Sequence, residues 1–217
     1  MHRIERFDRL GISGNDISNL VMLTPHSKDA LRPSTRGYVY RGTLQGIPIV
    51  IKPYQTPHEA EVVKVFSRSP FSLVLDQNER YLVEAVAQGS NLESAYNQGT
   101  LKADDLSARL ANFIAALHRM GINYNHTHEG HLFIEDGRLK ATDLGEARLA
   151  QPSGFVGDII TGLEYLRDTL NRQELRKAVE AFRKVYACNY DAELFSEAVR
   201  RHLKFAGQSD PLRSFLG

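Results

Sequence analysis

Residues 123–148 read NYNHTHEGHLFIEDGRLKATDLGEAR, and three histidines, His126, His128 and His131, crowd the first half of this stretch. Behind them, HLFIEDGRLKAT (131–142) carries apolar and β-forming residues on both sides of Asp136-Gly137. Asp-Gly between two such runs predicts a two-residue β-hairpin turn. The triplet Asp143-Leu144-Gly145 follows, so an acidic residue stands at the end of the second strand with a turn residue behind it. Ahead of the stretch, ADDLSARLANFIAALHRMG (103–121) repeats Leu106, Leu110, Phe113, Ile114 and Leu117 at steps of three and four. That spacing predicts an amphipathic helix, with Gly121 as its stop. A helix, a histidine-rich loop, a hairpin and an acidic turn therefore succeed one another.

Further upstream the pattern changes from helical to extended. GYVYRGTL (37–44) and QGIPIVIKPY (45–54) predict a hairpin over a Gln-Gly turn, and FSLVLDQNERYLVEAV (71–86) predicts a second, turning at Asp76-Gln77-Asn78. Between them TPHEAEVVKVF (56–66) has helix character, with Thr56 as cap and Pro57 in the first turn. Downstream, 158–170, 172–187 and 190–205 predict three helices. The expectation is an α+β chain: a β-rich N-terminal lobe with one helix over 1–86 and a mainly helical lobe over 87–217, together one domain. Strands do not alternate with helices as βαβ units, which excludes a doubly wound parallel sheet.

Composition narrows the classes. Of 217 residues 42% are apolar and 24% charged, enough for a buried core, and the net charge of +1 offers no electrostatic case for nucleic acid. One cysteine, Cys188, excludes an intrachain disulfide framework and a paired-cysteine zinc site; its flank VYACNY predicts a buried thiol. The N-terminus has no apolar core of signal-peptide length and no window reaches membrane-span length, so the expectation is a soluble, cytoplasmic protein.

The order of elements and several short motifs resemble the protein kinase-like superfamily. Val50-Ile51-Lys52 looks like the lysine strand of kinases, and Glu59 in HEAEVV like the helix glutamate that pairs with it, with Glu61 as the alternative. RPSTRGYVY resembles the tail of a glycine-rich loop: Gly37 and Val39 match its end, while Ser34 and Arg32 stand where glycines are usual. LVEAVAQGSN resembles the segment joining two kinase lobes, which implies nucleotide contact through the main chain from Glu84 to Val86. The closest pattern is that of bacterial lipopolysaccharide core kinases, the Kdo and heptose kinases, GINHRDxYxxHFLL followed by IDL. This chain reads GINYNHTHEGHLFI followed by TDL. GEARL after Asp143-Leu144-Gly145 also resembles small atypical kinases of the RIO and KEOPS type, which lack a long activation segment.

The resemblance implies a two-lobed kinase-like fold and an ATP-dependent phosphotransferase acting on a sugar hydroxyl or a protein side chain. It implies that Lys52 binds phosphate, Glu59 braces Lys52, and Asp143 holds Mg2+, with Mn2+ as an alternative. His126 falls at the catalytic aspartate position and His131 at the metal-ligand asparagine position, where the lipopolysaccharide kinases already carry histidine. Magnesium prefers oxygen ligands, so His131 suits manganese better or bonds a phosphate directly. Neutral imidazole accepts a proton near pH 7 but brings no negative charge; loss of a general base typically costs ~10²–10⁴ in rate. Glu129 and His128 are alternative bases. The same departure fits a pseudokinase that binds nucleotide or a protein partner without efficient turnover.

A third reading takes HTHEGH as a zinc motif of the HxHxDH kind, found in metallo-β-lactamase-like hydrolases. Gly130 replaces its aspartate, a helix rather than a strand precedes it, and only His202 follows to supply later ligands. Elsewhere, His118 is expected at a helix C-terminus among the last carbonyls, and RRHLK (200–204) as a solvated helix face, with binding of an anionic partner as its alternative.

Overall fold

The computed structural model describes residues 17–23, 39–54, 56–78, 80–125, 127, 129–207 and 209–216, with the side chain of Glu129 excepted. It is an α+β chain that divides into two compact units, 1–88 and 89–217.

Among the described residues, the first unit holds a five-stranded antiparallel sheet in the order β1-β2-β3-β5-β4 and one helix. Its strands are β1 (Ile17–Leu23), β2 (Val39–Leu44), β3 (Ile47–Pro53), β4 (Val74–Gln77) and β5 (Tyr81–Ala85); α1 is Pro57–Phe66. Gln45 and Gly46 join β2 to β3 with φ of 48° and 85°, the paired positive values of a tight turn whose twist matches the strands. Ile49, Ile51 and Val83 are fully buried and form the core on one face, with Ile17, Leu20, Tyr40, Leu44 and Tyr81 packed against them. The Thr56 hydroxyl accepts from the Glu59 N–H to cap α1 as its sequence requires. The second hairpin turns later than expected. Asp76 and Gln77 still pair with Val83 and Leu82. The reversal starts at Asn78, whose N–H bonds the Tyr81 carbonyl and whose side-chain oxygen takes the N–H groups of Arg80 and Tyr81.

In the second unit, β6 (Ser90–Asn91) leads into α2 (Leu92–Asn97) and the long α3 (Ala103–Arg119). Then come β7 (Ile122–Asn123), β8 (Leu132–Glu135), β9 (Arg138–Ala141) and β10 (Arg148–Leu149), and the helices α4 (Val156–Thr169), α5 (Arg172–Asn189), α6 (Ala192–Phe205) and α7 (Arg213–Leu216). Leu106, Leu110, Phe113, Ile114 and Leu117 of α3 are all fully buried, as their periodicity predicts. The buried Ser107 hydroxyl bonds the Ala178 carbonyl, joining α3 to α5. Asp136 and Gly137 turn β8 into β9 with φ of 49° and 71°. Asn171 and Asp191 cap α5 and α6 through their side-chain oxygens. No described helix is long and apolar enough to cross a membrane.

Two expectations are corrected. Cys188 is exposed, because α5 turns Leu175, Ala178, Val179, Phe182 and Tyr186 inward and leaves Cys188 on its outer face. His118 stands in the last turn of α3, as expected, and is buried there. In RRHLK, Arg200, Arg201 and Lys204 are solvated, but His202 is 5% exposed and points inward.

Candidate functional site

In the first unit the chemistry gathers around Lys52. β3 presents alternate residues to opposite faces, so the pair Ile49 and Ile51 faces the core and Lys52 the other side. The Lys52 Nζ lies 2.6 Å from Glu84 Oε2, with side chains only 10% and 5% exposed. Glu84 is expected from sequence to contribute main chain; its side chain is the salt-bridge partner of the lysine. Glu59 is fully buried on α1. Glu61 instead points outward, 3.9 Å from an exposed His58. The Tyr54 hydroxyl donates to Gln77 Oε1 at 3.0 Å. Burial pushes its pKa well up, and the carboxylates of Glu59, Glu84 and Asp76 push it further, so it stays a donor. The N–H groups of Ala85 and Val86 bond the carbonyls of Leu73 and Pro48. Val39 is buried opposite Leu23. Ser34 and Gly37 lie outside the described residues.

The second unit builds its site on Asp158, a residue that the sequence reading missed. Its fully buried carboxylate accepts from the main-chain N–H of Tyr124 and of Asn125, each at 2.7 Å, and lies 3.1 Å from His118 Nε2. The Nδ1 atom of His118 is 2.7 Å from the Tyr186 hydroxyl. Burial raises the Tyr186 pKa, helped by Tyr190, Asp191 and Asp158, so that hydroxyl keeps its proton. His118 donates from Nε2 to Asp158, and its ring stacks on Phe155 at 4.1 Å. The available signal was an aspartate inside the apolar helical run VGDIITG.

This clamp holds the chain that leads into position 126. Asn125 sits at φ 56°, in the left-handed region that asparagine tolerates better than most residues. Its side chain bonds the Glu146 carbonyl, and the Tyr124 hydroxyl bonds the Thr142 carbonyl at 3.0 Å. The segments 123–125 and 142–146 are thereby fastened together on both sides of Asp143. Asp143 has φ 56° as well, and its Oδ1 accepts from the Gly145 N–H. Two strained non-glycine residues joined by this network fit a site in which geometry is held against local preference.

His131 closes the group. A 3-10 turn over Glu129–His131 carries it into β8, and its Nε2 lies 3.7 Å from Asp143 Oδ2. The two side chains are 18% and 33% exposed. Adjacent ligands ~2.1 Å from a divalent cation stand about 3 Å apart, so a small inward movement lets both hold one ion. Among the described residues, no three His, Cys, Asp or Glu side chains converge as a metal cage. His126 and His128 lie outside the described residues, so the zinc motif is represented by His131 alone. The chain gives no significant match to any model of a known protein family or to any curated protein.

Proposed function

We propose that the chain is an ATP-dependent phosphotransferase of kinase-like architecture acting on a hydroxyl of a sugar or a protein. Lys52 binds phosphate oxygens of the nucleotide, and Asp143, with His131 beside it, holds a divalent cation, Mg2+ or Mn2+. Glu59 braces Lys52. His126 meets the acceptor hydroxyl and takes its proton, at a rate below that of a carboxylate base in that position.

The observation that carries this reading is the Asp143–His131 pair beside a segment whose direction Asp158 sets through two main-chain hydrogen bonds. Phosphoryl transfer needs charge neutralisation and a fixed acceptor geometry more than covalent chemistry. A pinned loop next to an acidic metal ligand supplies both.

Thermal unfolding with MgATP and MnATP, together with turnover of ATP, tests the reading. A ligand at ~100 times its Kd stabilises a folded protein by about 2.7 kcal/mol, so a shift of a few degrees is expected in the natural chain and none in Asp143→Asn. His126→Asp is expected to raise turnover if the natural chain is slow. A protein that neither nucleotide stabilises, or a shift that survives in Asp143→Asn, rejects the proposal. Nucleotide binding with turnover only in His126→Asp identifies a pseudokinase.

A further inference from the structure

The register of the first sheet builds an acidic competitor into the phosphate-binding lysine. Val50 pairs across with Glu84 and Lys52 with Leu82, so Lys52 and Glu84 are diagonal neighbours on the same face of β3 and β5. Diagonal neighbours are within reach of long side chains, and here the reach ends in a 2.6 Å contact. Both groups are anchored on central strands, since β3 lies between β2 and β5, and β5 between β3 and β4. The contact is therefore a property of strand pairing and not of a wandering surface lysine.

Resting on the reading of Lys52 as a nucleotide ligand, we propose that the Glu84 carboxylate is an internal substitute for phosphate that sets the affinity of this site for a polyphosphate chain. An incoming phosphate oxygen must take Lys52 from Glu84, or share it. Two anions on one ammonium repel strongly where both side chains are nearly excluded from water. Glu84 thus keeps the lysine oriented and neutralised while the site is empty, and weakens every phosphate ligand by the free energy of that displacement. A purely structural Glu84 has the opposite signature: its removal would loosen Lys52 and weaken binding.

Isothermal titration with inorganic magnesium tripolyphosphate and with MgATP distinguishes the two, using the natural chain, Glu84→Gln, Glu84→Asp and the double variant Lys52→Met/Glu84→Gln. Glu84→Gln is expected to bind both probes about tenfold more tightly, the scale of one close charge pair. Glu84→Asp, which keeps the charge but withdraws it by one methylene, is expected to tighten binding by a smaller factor and decides the matter if Glu84→Gln does not fold. Unchanged or weaker binding in the folded Glu84 variants, with binding lost in the double variant, overturns the competitor and leaves Lys52 as the phosphate ligand. No binding of either probe by any of the proteins overturns the competitor and the nucleotide reading together.

Discussion

Asp158 shows how one buried carboxylate can organise a loop. Its two oxygens serve the N–H groups of Tyr124 and Asn125 and the Nε2 of His118, which leaves all three groups dependent on it. A buried polar group stripped of its partner costs about 1–3 kcal/mol. Asp158→Ala is therefore expected to lower stability by about 3–5 kcal/mol, read by urea denaturation. Asp158→Asn, which keeps one acceptor oxygen, should cost less. A loss below ~1 kcal/mol for the alanine would show that the loop does not depend on the clamp. Lys52 and Glu84 differ in what local sequence carries: a short apolar run places Lys52 on a strand, but nothing near it in sequence names Glu84 as its partner. Alternation along a strand names the face a residue takes, whereas its neighbour depends on which strand lies alongside and in what register.

At the scale of elements, short-range chemistry accounts for most of what formed. Gln45-Gly46 and Asp136-Gly137 turn their hairpins with positive φ at both positions, and Thr56 caps α1. β1 escaped the reading because its exposure pattern lacks strict alternation; its pairing with β2 shifts between Ser18 and Val21, and Asn19 takes φ 55°. Gly89, just before β6, has a role that only packing reveals: a Cβ there would stand 1.7 Å from the Ile134 carbonyl oxygen on β8. Gly89→Ala must push β6 away from β8 and is expected to cost about 2 kcal/mol or more. Gly157 on α4 is the control, because a Cβ there meets nothing within 4 Å; Gly157→Ala should stabilise by about 0.4–1 kcal/mol. Melting temperatures moving in opposite directions would bear this out, and a neutral Gly89→Ala would refute the close approach.

Across the second unit, the C-terminal segment is tied back through charge. Asp210 Oδ2 lies 3.1 Å from His202 Nε2 on α6 and 3.3 Å from Arg167 on α4, and Arg213 donates to the carbonyls of Leu203 and Ala206 at the end of α6. Burial alone would raise the Asp210 pKa, but the Leu212 N–H, His202 and Arg167 together hold it below its ordinary 3.8. A carboxyl depressed on folding contributes stability that is complete above its unfolded pKa and disappears as the pH falls through the folded one. Between pH 5 and pH 3, Asp210→Asn should therefore lose less stability than the natural chain in chemical denaturation; equal losses would exclude this linkage. From sequence alone come the strand-rich first half, the helical second half, the hairpins over their two-residue turns and the candidates Lys52, His131 and Asp143. The elements rest on periodicity and turn chemistry, which act over a few residues, and the three candidates on the resemblance of short motifs to those of kinases. Tertiary structure alone decided that Glu84 meets Lys52, that Asp158 and His118 clamp residues 124 and 125, that His202 turns inward and that Cys188 faces out. Those outcomes depend on strand register and on the face each helix buries, and contacts between residues far apart along the chain set both.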